Sequence, residues 1–309
     1  MTTILRNAFG ALVLAGWLIA GNVSGAFAAY KEAFEAYVRK DYKTALEEAE
    51  VAAADGDINA KAMLGALYAE GKGTKKNIAR AIKWYTEAAR KGHREARFEL
   101  GVLYATGEAG RRNYARARKY LEMAARDGHV MAQYNLAMIY AGADPKLENW
   151  KKAAYWFRKA ANKDNALAQY NLGVLYSQGR GVKKDLVEAA RWIGKAAVKG
   201  LSDAELDYAV MVFNGQGVAQ DKKIAARWFL TAANKNNPAA QKRIALMQMA
   251  GIGVERDPIE AAKWHMLAVK GGLRDATLEK FVNTLSAAAR ARARARAESW
   301  LKERSGQKR

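Results

Sequence analysis

The feature that most constrains this chain is a 36-residue period. Ala60, Ala96, Ala132, Ala168, Ala204, Ala240 and Ala276 stand at that spacing. Twenty-four residues after each of the first six comes a large aromatic: Trp84, Tyr120, Trp156, Trp192, Trp228 and Trp264. Alanine recurs at offset 21 (Ala81, Ala117, Ala153, Ala189, Ala225, Ala261) and again at offset 28 (Ala88, Ala124, Ala160, Ala196, Ala232, Ala268). Four columns in register over six units mark a repeat array in which each unit is one supersecondary element.

Each unit reads as two helices. Residues 60–70 carry Leu64, Leu67 and Tyr68, the i, i+3, i+4 stripe of an amphipathic helix. Gly71-Lys72-Gly73 ends it, because glycine accepts the positive φ of a helix C-terminus. Residues 77–91 form the second helix, with Ala81, Trp84, Tyr85, Ala88 and Ala89 on one side and Gly92 closing it. A single pair cannot bury its stripe, so neighbouring pairs must stack. The alanines at offsets 21 and 28 lie two turns apart and let helix axes approach. The ring at offset 24 is expected to plug the gap between consecutive pairs, so truncating Trp192 or Trp228 should cost about 3–5 kcal/mol. Composition agrees with helix: half the chain is apolar and only three prolines occur.

The stretch Ala168-Gln169-Tyr170-Asn171-Leu172-Gly173-Val174-Leu175-Tyr176, with Gly179-Arg180-Gly181-Val182, Ala189-Ala190-Arg191-Trp192 and Ala196-Ala197, closely resembles the Sel1-like repeat, a relative of the tetratricopeptide repeat. The resemblance covers roughly residues 60–275, six repeats. It implies an all-α fold, a right-handed α-solenoid of antiparallel helix pairs, with the role of a scaffold or adaptor and no family-wide catalytic residue. Two departures stand out. Ala143-Asp144-Pro145 replaces the Gly-x-Gly loop of the third unit, predicting a stiffer, differently shaped connection, and Gln248 takes the tyrosine position of the sixth, predicting a frayed or re-used contact. Residues 29–59 fit the frame as an amino-terminal capping pair through Ala45, Ala52, Ala53 and Gly56, with Lys40-Asp41-Tyr42 as its tight turn. Residues 276–304 read as carboxy-terminal capping helices, with Ser286 as N-cap of the last, and residues 305–309 as a disordered tail.

The amino terminus reads as a removable address. Arg6 supplies the positive region, residues 8–20 an apolar core, and Ala26-Phe27-Ala28 the small-x-small pattern, placing cleavage after Ala28 and residues 1–28 in a signal peptide. That core is short of the roughly 20 residues a spanning helix needs; an uncleaved membrane anchor is the competing reading. Export makes the chain periplasmic or secreted. With no cysteine, disulfides, thiolate metal sites and a cysteine nucleophile are excluded. The net charge of +21, from 52 Lys and Arg against 31 Asp and Glu, favours anionic partners. For an exported chain these are an acidic glycan, an anionic lipid or an acidic protein face rather than nucleic acid.

The sequence points away from catalysis. His93 and His129 share one offset in the turn after a second helix, where a polar turn residue is expected, and His265 follows Trp264 with no second ligand nearby in sequence. No His-Glu-x-x-His stretch, Gly-x-Ser-x-Gly elbow or phosphate-binding Gly-Lys-Ser/Thr loop occurs. The Gly-x-Gly loops, such as Gly215-Gln216-Gly217, are helix ends. The expectation is therefore no enzyme, no cofactor and no metal site, with a carboxylate pair assembled in space as the open alternative.

Candidate partner-binding residues come from a variable column at offset 3 of the first helix: Met63, Glu99, Asn135, Asn171, Asp207 and Arg243. Packing does not dictate a position that changes while its neighbours recur. The amides of Asn135 and Asn171 can both donate and accept bonds with an extended segment; an ordinary solvated face is the alternative. A second candidate is the stripe Arg290, Arg292, Arg294 and Arg296, read either as an anion-binding patch or as a solvated capping helix. The whole suggests a periplasmic scaffold, adaptor or regulator that docks another envelope protein on its concave surface. Its plan also resembles exported Sel1-repeat regulators of exopolysaccharide synthesis in α-proteobacteria, which implies the periplasmic domain of a sensor kinase as partner. The alternative is an envelope-ligand binder for acidic polysaccharide, peptidoglycan or anionic lipid.

Overall fold

The computed structural model describes residues 25–306. The expected signal peptide, residues 1–28, lies outside the described residues except for its last four positions, as do the last three residues of the expected tail. Sixteen α-helices, one π turn and one 3-10 turn are present, with no strand among the described residues.

Two compact units divide at residues 163 and 164. The first contains α1 (Gly25–Val38), α2 (Tyr42–Ala54), α3 (Ile58–Glu70), α4 (Ile78–Arg90), α5 (Arg94–Thr106), α6 (Tyr114–Arg126), α7 (Val130–Met138) and α8 (Trp150–Ala161). The second contains α9 (Ala166–Gln178), α10 (Leu186–Val198), α11 (Ser202–Asn214), α12 (Lys222–Asn234), α13 (Pro238–Ala250), α14 (Pro258–Lys270), α15 (Ala276–Thr284) and α16 (Ala287–Gly306). Within each unit, first and second helices pair as the period requires, and each second helix packs on the first helix of the next pair.

The alanine columns account for this packing. Every alanine at offsets 0, 21 and 28 of the six units has 0 % exposure. At such positions a methyl is all the space between axes admits. The turn between helices is tied by one recurring bond, in which the N–H of the second helix's N-cap donates to the carbonyl at offset 8 of the first. Asn77 meets Tyr68 at 2.8 Å and Asp257 meets Gln248 at 3.1 Å. Because the carbonyl carries the tie, Gln248 leaves it intact, and α13 runs regularly to Ala250; the expected fraying is absent. The third unit keeps its tie too, Asn149 to Tyr140 at 2.8 Å. It reaches it through a π turn (Ile139–Ala143) with Gly142 at φ 103° and a 3-10 turn (Pro145–Leu147).

The two glycines of the Gly-x-Gly loop do different work. Gly215 ends α11 in the left-handed region, its N–H donating to Met211. Gly217, also left-handed, lies against the preceding second helix, where a Cβ would stand 1.9 Å from the carbonyl oxygen of Leu186.

One expectation is corrected. The ring at offset 24 is not the general plug: Trp192 and Trp264 are buried, but Trp84, Tyr120, Trp156 and Trp228 are half-exposed. The position that is sealed in every unit lies one residue later. Tyr85, Leu121, Phe157, Ile193, Phe229 and His265 are each at most 5 % exposed. A small residue at offset 5 of the first helix makes room: a Cβ on Gly65 would stand 2.5 Å from the Tyr85 ring, and one on Gly173 2.5 Å from Ile193. At the carboxyl end α16 runs through Ser305 to Gly306, so the expected tail begins two residues too early.

Candidate functional site

In the second unit the variable column opens onto a cavity. On α11, Asp207, Val210 and Asn214 share one face at i, i+3 and i+7, and on α13 Arg243 and Leu246 repeat the first step. Between the two helices lies a cavity of about 300 Å³ lined by Val210, Phe213, Phe229, Leu246, Met247 and Ile252, with Asn214 and Arg243 completing it. Arg243 is exposed and makes no hydrogen bond or ion pair among the described residues. An apolar hollow with one unsatisfied guanidinium suits an apolar side chain whose carboxylate or backbone oxygen meets the Arg243 fork.

The rest of the column is not uniformly offered. Asp207 is half-buried and accepts the Tyr170 hydroxyl at 2.9 Å. Burial pushes its carboxyl above the ordinary aspartate range and the bond from Tyr170 pulls it back, while Asp203 adds to the upward push. Asn171, also half-buried, spends a side-chain N–H on the Leu167 carbonyl of its own helix at 2.8 Å. Met63, Glu99 and Asn135 are buried. The expectation that Glu99 and Asn135 face a partner is therefore corrected, since a buried side chain touches a macromolecule only after giving up its present surroundings.

The arginine stripe also divides. Arg290 donates to the carbonyls of Asn283 and Leu285 at 3.2 and 2.7 Å, satisfying the free end of α15. Arg296 pairs with Glu260 and Asp257, at 3.2 and 3.6 Å, at the start of α14. Ser286 caps α16, its hydroxyl accepting from the Ala289 N–H at 3.2 Å. Arg292 and Arg294 are exposed and make no hydrogen bond or ion pair among the described residues. Two of the four candidates thus hold the helix in place, leaving Arg292 and Arg294 for an anion.

Each histidine has a structural post. The Nδ1 atoms of His93 and His129 accept from Ala96 and Ala132 N–H at 3.2 and 3.0 Å, making both residues N-caps. His129 Nε2 lies 2.9 Å from Glu95, and its ring stacks on Phe98. His265 occupies the plug position. Among the described residues no group of three or more His, Cys, Asp or Glu could hold a metal ion, and no helix is long and apolar enough to cross a membrane.

Sequence reasoning missed Val210, Phe213, Leu246 and Ile252, because apolar residues on a helix read as core. The available signal was the i+3 spacing of Val210 and Leu246 from Asp207 and Arg243, polar positions assigned to the open face; Phe213 and Ile252 carried no such mark.

Together these features define a class: a repeat protein of stacked helix pairs that carries its variable side chains on the first helices. The Sel1 repeat is matched six times in succession, at residues 58–93, 94–129, 130–165, 166–201, 202–237 and 238–273, and the chain belongs to this family. Proteins built of Sel1 repeats are generally interaction scaffolds without catalytic activity. Among solved structures, the chain is similar to a protective antigen of uropathogenic Escherichia coli strains displaying an SLR fold. The identity is 24 % and the TM-score 0.76, over 91 % of this chain and 61 % of that one; the likeness is one of fold, and this chain spans under two thirds of that protein's length. It is also similar to a Sel1 repeat protein from Oxalobacter formigenes, 29 % identical with a TM-score of 0.65, over 80 % of this chain and 97 % of that one. No curated protein matches.

Proposed function

We propose that this protein is a periplasmic adaptor or regulator that holds an extended segment of another envelope protein along the first-helix face of its second unit. The carrying observation is the cavity between α11 and α13, with Arg243 unpartnered at its edge. A scaffold of stacked repeats positions such a hollow rigidly, so a partner side chain enters with little reorganisation. The partner segment carries an apolar anchor next to an acidic residue or chain terminus. The resemblance to exported regulators of exopolysaccharide synthesis supports a sensor-kinase periplasmic domain as that partner.

A photocrosslinking residue in place of Leu246 should capture a defined envelope protein in living cells, and Arg243→Glu should abolish the capture. The same crosslinker in place of Lys280, exposed on α15, should give none. No capture at 246, equal capture at both positions, or indifference to Arg243→Glu would overturn the reading.

A further inference from the structure

A second hollow lies on the second-helix side of the same unit. There a groove of about 490 Å³ runs beside α10, with Tyr208 and Trp228 as its aromatic floor and Arg191, Lys195 and Lys199 on its rim. The groove arises from two matched departures from the repeat. Position 208 carries tyrosine where four other units carry Leu64, Leu100, Leu136 and Leu172. Position 194 carries glycine where the others carry Thr86, Glu122, Arg158, Leu230 and Met266. The departures fit each other: a Cβ on Gly194 would stand 2.9 Å from the Tyr208 ring. A glycine inside a helix costs about 1 kcal/mol relative to alanine. Here it leaves the outer surface of α10 without a side chain at the one place where the Tyr208 ring comes through.

The floor and the rim offer different chemistry. Tyr208 and Trp228 meet edge to face, centroids 5.6 Å apart and planes at 88°, and both are half-exposed. The rim brings three cations against one carboxylate, Asp164, which is held by Lys199 at 3.1 Å. Arg191 is paired with Glu188 at 2.6 Å. Lys195 makes no contact ion pair among the described residues, although its charge helps hold the Asp164 carboxyl low, and it rests over Trp192, 4.6 Å from the ring centroid. A free inorganic anion would use only the rim, and a purely apolar ligand only the floor. A pyranose ring bearing a carboxylate uses both, because its C–H face packs on aromatic carbon while its acid meets the ammonium and its hydroxyls meet the exposed carboxylate of Asp164.

We infer that the groove floored by Tyr208 and Trp228 is a binding site for an acidic saccharide of the uronic-acid type, with Lys195 taking its carboxylate. This site is separate from the first-helix cavity and stands or falls independently of the adaptor reading. The test is titration calorimetry of the purified protein with oligogalacturonate, neutral cello-oligosaccharide of equal length, and sodium sulfate. Oligogalacturonate should bind, and neither of the others should compete at equal concentration. Lys195→Gln should weaken binding at least tenfold. Tyr208→Leu, which installs the residue other units carry and so keeps the fold, should do the same, while Lys280→Gln leaves it unchanged. Raising salt should weaken binding, since exposed charges are screened. Absence of binding, equal affinity for the neutral oligosaccharide, displacement by sulfate at concentrations equal to the oligogalacturonate, or indifference to either groove variant would overturn the inference.

Discussion

Phe229 and Trp228 are adjacent, both aromatic, and differ in what surrounds them. Phe229 is 2 % exposed and packs edge to face on Phe213 at 6.4 Å, whereas Trp228 keeps part of its ring in solvent. Truncation costs the lost transfer energy plus the cavity left behind, and only a sealed site leaves a cavity. Phe229→Ala should therefore destabilise by about 3–5 kcal/mol and Trp228→Ala by distinctly less, measured by urea unfolding. This reverses the ranking that residue identity suggests. The plug column escaped the sequence because it demands volume and not one shape: tyrosine, leucine, phenylalanine, isoleucine and histidine all fill it. The alanine columns were legible for the opposite reason, since closely approaching helices accept only a methyl. The half-wet tryptophans recur because an amphipathic ring suits a rim, and recurrence by itself does not say whether a ring is sealed.

At the scale of elements, the loop of each unit both ends one helix and spaces it from its neighbour. The sequence showed that glycine recurs there but not that the two glycines have different duties. Gly215→Ala forces an alanine into the left-handed region, at about 1–2 kcal/mol. Its Cβ would stand 3.2 Å from the Gln220 Cβ and no nearer than 3.7 Å to backbone, a tight approach but not a collision. Gly217→Ala adds a collision with the backbone of Leu186, which no rotamer change relieves, so its cost should exceed about 3 kcal/mol. Thermal melts of the two variants, followed by circular dichroism, should rank them in that order; equal melting points would mean that α10 and this loop are not in contact. The last helices follow a similar logic. The arginine stripe was visible as composition, yet Arg290 and Arg296 serve α15 and α14 because their termini present carbonyls and carboxylates there, a neighbourhood only the folded chain creates.

Over the whole molecule, His93 and His265 make stability depend on pH in a window that few other groups share. Burial holds the imidazoles of His93 and His265 below the ordinary value of 6.5. Glu95 and Asp57 pull the first partly back, and Glu279 and Asp275 the second. A depressed folded value means that the unfolded chain takes up the proton first, so the stabilisation is present above about pH 6.5 and is lost as pH falls through the folded value. For His93 the loss has a visible cause, because the Nδ1 that caps α5 can accept a bond only while unprotonated. Asp207, raised by burial, acts in the opposite sense, so the informative measurement compares variants rather than reading one profile. The repeat supplies the replacements: asparagine caps the equivalent helices at Asn165 and Asn237, and leucine fills the plug at Leu121. The protein carrying His93→Asn and His265→Leu should melt at nearly the same temperature at pH 7.5 and pH 5.5, while the parent should melt several degrees lower at the acid end. Parallel slopes for the two would show that neither imidazole is held neutral by the fold.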